Sequence, residues 1–298
     1  MPLRYWALIL LLAAGWGASF FFNEILLREL GPLSVGMGRV GMGAIGCWIW
    51  LLLSQTAWRV PLRSMLVLTV FGALQYAIPL TVYPVTQQYI TSSAAGIVNA
   101  MTPLMVVIVS HFWPAGEKMT LMKSIGVVCG FAGIVLLALP SFGGQGESDP
   151  LALLATMAAP LCYAFALNLV RQMDGVNRVV LTAWSLTLST VLLVPLAVWI
   201  EGVPVITQRE TWISLLVIGF VLTSAAFILL FWLIPRVGST TASTITFIAP
   251  VSAVLLGVFV LNETLVTIQF AGMAVIFVGM LFVDGRLIRM LGGKQAGA

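Results

Sequence analysis

Asn99 and Thr246 each lie deep in an apolar run, and each is followed four positions later by a proline, Pro103 and Pro250. Ser92, Gly96, Asn99 and Pro103 share one face of a helix by their spacing, and Ser239, Ser243, Thr246 and Pro250 repeat that face at the same intervals. Two chemistries fit such a pattern. Small residues let helices approach while the polar ones bond between helices; alternatively, the prolines free backbone carbonyls that line a cavity and bind a polar solute. Tyr76, Pro79 and Tyr83 share a second face, and Trp16 and Tyr163 correspond to one another 147 positions apart. A buried Tyr hydroxyl or Trp N–H needs a partner, which a cavity, its water or a bound solute supplies. Trp16, Tyr76, Tyr83, Asn99, Tyr163 and Thr246 are therefore the candidate substrate-binding residues, and Pro79, Pro103 and Pro250 the candidate hinge or cavity-backbone positions. Core packing is the competing reading of each.

Ionisable residues within apolar segments are few, and each is a functional candidate by its expense. Glu24 and the single histidine, His111, are the candidates for coupling to a proton, His111 because imidazole titrates near neutrality. Against this, Glu24 stands four residues before Arg28, a spacing that predicts a local salt bridge, and His111 lies near a helix end. Arg39 falls about one turn inside its segment, where it can snorkel outward or pair with a helix terminus, a structural role. Glu117 and Glu263 are predicted to cap the N-terminal amides of the helices that follow them. One histidine, no close acid pair and no HExxH motif disfavour an intramembrane enzyme, and no metal or cofactor is expected. Cys47, Cys129 and Cys162 lie inside apolar runs without CxxC spacing and read as packing residues.

The elements that must position these residues follow from composition. With 60% hydrophobic and 8% charged residues in 298, the chain has more apolar surface than a water-soluble domain can hide. Runs long enough to cross a hydrocarbon layer of about 30 Å recur throughout, and they are apolar all round, unlike the alternating strands of a barrel. The N-terminal run continues through Phe22, longer than a signal-peptide core, and is taken as the first span. Ten spans are predicted, centred near Leu12, Gly43, Ala73, Pro103, Gly130, Pro160, Ser189, Val221, Pro250 and Ile276. The basic residues are scattered singly, which excludes nucleic acid as a partner and makes them topology signals. With the N-terminus cytoplasmic, eleven of fourteen fall inside, Arg28 and Arg209 outside, and Arg39 within a span. Both termini are thus predicted to be cytoplasmic, with the loop carrying Glu147 and Asp149 outside.

The two halves repeat. At an offset of 147, Ser92, Ala95, Asn99 and Pro103 fall on Ser239, Ala242, Thr246 and Pro250, and Gly72 falls on Gly219; at 146, Glu117, Gly126 and Gly133 fall on Glu263, Gly272 and Gly279. Because each half has five spans, the second enters the membrane from the opposite side, giving two inverted repeats related by an axis in the membrane plane. The predicted fold is therefore an all-α polytopic membrane protein with repeats at 3–140 and 151–285 and a short basic tail at 286–298.

The Trp16–Gly17 pair, Pro32 followed by Arg39, the small-residue approach to Pro103 and Pro250, and the paired Glu–Gly–Gly series resemble the drug/metabolite transporter superfamily, in its ten-helix branch of paired EamA-type domains. Within that branch the chain looks like YddG-type bacterial exporters of aromatic amino acids and related metabolites. The resemblance implies a central cavity lined by spans 1, 3, 4, 6, 8 and 9 and a location in the bacterial inner membrane. The expected partners are the lipid bilayer and a small-molecule substrate, an amino acid or amphipathic metabolite. Efflux of lipophilic drugs is the alternative, and a non-transporting scaffold a more distant one. A monomer suffices, although Gly126 and Gly130 form a GxxxG pair that could join two copies as well as pack helices within one.

Overall fold

The computed structural model describes residues 2–114, 116–142, 147–170 and 176–284, and of residues 239 and 240 the backbone alone. The expected basic tail at 286–298 lies outside them. Among the described residues nine helices are long and apolar enough to cross a membrane: α1 Leu3–Leu27, α2 Pro32–Leu53, α3 Leu62–Gln87, α4 Ser92–Phe112, α5 Leu121–Phe142, α6 Pro150–Val170, α7 Arg178–Glu201, α8 Arg209–Val237 and, after a shorter ninth, α10 Thr267–Asp284. That ninth, α9, is Thr244–Val260, preceded by a single turn at Ser239–Ala242. Helices are the elements such a sequence can form in hydrocarbon, because each satisfies its own amides and carbonyls.

Connections are short, so successive helices run antiparallel and the loops gather at two ends. One end holds Glu24, Glu29, Glu147, Asp149, Glu201, Glu210 and Glu263; the other holds Arg4, Arg59, Arg63, Lys118, Lys123, Arg178 and Arg236. They are called here the acidic and the basic end, and the first and last described helices start and stop at the basic one.

Helix neighbours respect the repeat. Closely packed pairs include α5 with α10, α2 with α7, α1 with α9, α4 with α6, α3 with α6, α1 with α8, α2 with α8 and α3 with α7. Exchanging each helix for its counterpart five places on returns the same set. Irregularities repeat as well. α3 contains a π-helical stretch at Ala73–Ala77 and α8 one at Val217–Ala225, beginning beside Gly72 and enclosing Gly219. Pro79 follows the first of these, and the wider turn accommodates a ring that cannot donate to the carbonyl four residues back.

The two prolines of the repeated face act differently. α4 is interrupted at Ala100 and Met101, so Pro103 stands in the first turn of a new segment, and the Asn99 carbonyl accepts the Thr102 hydroxyl at 2.7 Å. Pro250 lies inside the unbroken α9, and the interruption there comes earlier, at Ser243. The sequence places a hinge at both prolines; in the second half the break precedes Thr246.

The glycines of the Glu–Gly–Gly series form the seam between α5 and α10. A Cβ on Gly126 meets the Gly279 carbonyl oxygen at 2.6 Å, and one on Gly133 meets that of Gly272 at 2.6 Å, each contact being returned from the other helix. The small residues at 126 and 133 thus pack two helices of one chain backbone to backbone.

Candidate functional site

The interior between the halves holds most of the predicted site. The Tyr83 hydroxyl donates to Asn99 Oδ1 at 2.7 Å, and the Phe20 ring stands edge-on to Tyr83 at 5.1 Å. Tyr163, from α6, packs against the same apolar cluster as Tyr83. Deeper toward the basic end, Trp16 and Tyr76 both pack on Phe227, at 5.5 and 5.4 Å, and the Tyr76 hydroxyl donates to Thr182 at 3.4 Å. Tyr76 and Tyr83 are buried, whereas Asn99 and Tyr163 are partly exposed. Five of the six predicted binding residues thus fall in two groups, Tyr83, Asn99 and Tyr163 in one and Trp16 and Tyr76 about Phe227 in the other.

Thr246 stands apart, its hydroxyl donating to the Ser243 carbonyl at 2.7 Å. Inversion explains the difference: Asn99 is two turns from the acidic end of α4, and its counterpart is correspondingly close to the basic end. Pro79 and Pro250 are buried.

Arg39 departs from expectation most. It does not snorkel: it is 7% exposed, with Nε donating to Thr223 Oγ1 at 3.2 Å and Nη2 to Ser19 Oγ at 3.1 Å. The π-helical turn of α8 arranges this, because Thr223 spends its own proton on the Ile218 carbonyl five residues back, at 2.8 Å, and is left as an acceptor. α2, expected outside the cavity, thus sends its one charge into the interior.

On the acidic side the cluster is sealed. Gln87 Nε2 donates to the Phe20 carbonyl at 2.9 Å and to Ser92 Oγ at 3.1 Å, while its Oε1 accepts Asn23 Nδ2 at 2.8 Å. Asn23, Gln87 and Ser92 are buried. Above this plug, carboxylates of one half cap helix starts of the other. Glu263 accepts the Ser92 and Ser93 amides, at 2.6 and 2.9 Å, and the Ser93 hydroxyl. Glu201 accepts the Leu33 and Ser34 amides, both at 2.8 Å. Glu29 accepts the Thr207 amide at 2.6 Å just before α8. Each places negative charge where helix amides point outward unpaired.

Capping by Glu263 was predicted, but of α10, the helix that follows it. The structure corrects this, because the amides within reach are those of the neighbouring helix in space. The amide and hydroxyl of Thr264, just before α10, instead bond to Glu147.

The two coupling candidates lie outside the cluster. His111 Nδ1 accepts the Met119 amide at 3.0 Å, so the ring fastens the α4–α5 loop at the basic end. Glu24 makes no ion pair with Arg28, and the one ion pair among the described residues is Lys123–Glu117 at 2.8 Å. Arg28 instead shares with Glu24, Glu147 and Glu263 the lining of a polar vestibule of about 320 Å³. Trp184, in the second turn of α7, donates its indole N–H to the Trp58 carbonyl in a tryptophan cluster with Trp48 near the basic end.

The profile of the EamA-like transporter family matches residues 4–139 and 150–283. The chain is 24% identical over 254 residues to "Uncharacterized transporter YoaV" of Bacillus subtilis (strain 168), covering 83% of this chain and 85% of that protein. It is 25% identical over 272 residues to "Uncharacterized inner membrane transporter YedA" of Escherichia coli (strain K12), covering 90% and 86%. A solved crystal structure shares the fold with a TM-score of 0.68 at 20% identity, over 96% of this chain and 98% of the other.

Proposed function

Since the chain belongs to the EamA-like transporter family and is a multi-pass membrane protein, we propose that it exports amino acids, aromatic or otherwise neutral, or related small metabolites across the bacterial inner membrane by alternating access. In this reading residues 3–140 and 151–285 are the two inverted repeats, the acidic end faces outward and both termini are cytoplasmic, as the distribution of Lys and Arg favours.

The observation that carries the proposal is the interior group of Tyr83, Asn99 and Tyr163, built by both halves and separated from the acidic end by bonds between those halves. A solute reaching it from the basic end meets aromatic faces and the Asn99 amide nitrogen, which makes no protein hydrogen bond among the described residues. Release requires the cross-half caps at the acidic end to part while the basic end closes, the relative rocking of repeats that an inverted pair permits. A lateral apolar groove of about 420 Å³ between α2, α3, α6 and α7 favours the second reading, efflux of lipophilic compounds.

The test is flux of labelled amino acids into proteoliposomes, with and without a pH gradient. Saturable transport of one class supports the proposal, and transport of lipophilic dyes alone moves it to the second reading. Tyr83→Phe and Asn99→Ala are expected to lower flux about tenfold each at unchanged folded yield, since a buried hydrogen bond contributes about 1 to 1.5 kcal/mol and 1.4 kcal/mol is tenfold. Full flux in both variants removes these residues from the binding site.

A further inference from the structure

Arg39 is a cation held in the interior of a membrane protein by two neutral hydroxyls. Among the described residues no carboxylate lies within 4 Å of its guanidinium, and the acids gather at the two ends of the bundle. Burying a charge on those terms is costly, and buried arginines are as a rule matched by a carboxylate or phosphate. Thr223 and Ser19 occupy Nε and Nη2, and Nη1 has no protein partner among the described residues. Ser19, one of the two partners of the guanidinium, precedes Phe20, whose ring packs edge-on to Tyr83 at 5.1 Å, and Asn99, bonded to Tyr83, is partly exposed.

We infer that Arg39 is the binding site for the carboxylate of the transported solute, so that the protein selects monoanionic or zwitterionic carboxylates over the corresponding amides and amines. The inference rests on the transport reading above and names its substrate class. A carboxylate docked on Arg39 supplies the missing counter-charge, and the planar fork holds it in a fixed orientation. Ser19 and Thr223 hold the guanidinium in place from the far side, α1 and α8 each contributing one hydroxyl. Because these helices belong to different halves, loading Arg39 bears on the contact that must change when the halves move.

The experiment measures phenylalanine, phenylalaninamide and phenethylamine, first as flux into proteoliposomes and second as protection of the wild-type protein against thermal unfolding. Phenylalanine is expected to cross at least tenfold faster than either analogue and to raise the melting temperature where they do not. Arg39→Gln is expected to lower phenylalanine flux at least tenfold, and Arg39→Lys to lose less, since it keeps the charge without the fork. Flux or protection as strong with the amide as with the acid overturns the inference while leaving transport standing. So does undiminished phenylalanine flux in a folded Arg39→Gln protein. If Arg39→Gln fails to fold, the wild-type protection series decides alone. Absence of flux for all three compounds and for every labelled amino acid tested above sinks the amino acid export reading, and this inference with it.

Discussion

Replacing Glu263 with alanine is expected to open the acidic end. The carboxylate accepts two amides at the start of α4 and the Ser93 hydroxyl, and it comes from the opposite half, so its removal strands those donors and unties the halves together. Hydrogen bonds to a charged group contribute about 1.5 to 3 kcal/mol each, and Glu263 is partly exposed, so a total near the lower end, about 2 to 3 kcal/mol, is expected. If the difference falls on the closed state alone, the open population rises on the order of thirtyfold or more. Ile90 lies at the mouth of the vestibule and is 4% exposed, which makes Ile90→Cys a reporter. Its labelling by a membrane-impermeant maleimide should accelerate by about that factor in Glu263→Ala, less in Glu263→Gln, which retains one acceptor. Equal labelling rates in the three backgrounds would show that the cap does not hold the closure.

Gly133→Ala is expected to cost about 1 to 3 kcal/mol of stability, and Gly133→Leu to abolish folding. The added Cβ stands 2.6 Å from the Gly272 carbonyl oxygen, and a backbone atom can yield only if α5 and α10 separate along their length. Gly130→Ala is the control. Its Cβ meets the ends of Leu104 and Met101, which can move to other rotamers, so its loss should be slight although the nominal overlap, 2.1 Å, is larger. Thermal melting in detergent, followed by size exclusion, separates the two. Equal losses at 130 and 133 would mean that the seam is not the rigid contact it is taken to be.

Local chemistry carried far in this protein. An apolar segment of about 20 residues has one workable conformation in hydrocarbon, and punctuation by Pro, Gly and charge marks its ends, so all ten helices were legible with their order. The recurrence of Asn99 and Pro103 as Thr246 and Pro250 made the repeat legible too. Tyr83, Asn99 and Tyr163 gather, and Trp16 and Tyr76 pack about Phe227, because a polar side chain in mid-bilayer has few places to satisfy its polar atom other than the interior. Trp184 escaped the same argument by finding the Trp58 carbonyl near the basic end.

Partnership across helices was not legible. Glu24 and Arg28 have helical spacing yet form no ion pair, and both line a vestibule with Glu147 and Glu263. Glu263 caps α4 and Glu201 caps α2, although nothing near either in the chain names its target. Arg39 reads from sequence as a residue near a span end; only the π-helical turn of α8, which presents Thr223 as an acceptor, shows that it points inward. The sequence by itself determined ten apolar helices and their order, since hydrophobicity and periodicity act over neighbouring residues. The tertiary structure alone decided which carboxylate meets which helix and which cation lies in the interior, because those choices depend on the separation of atoms that the chain connects only through a hundred or more intervening residues.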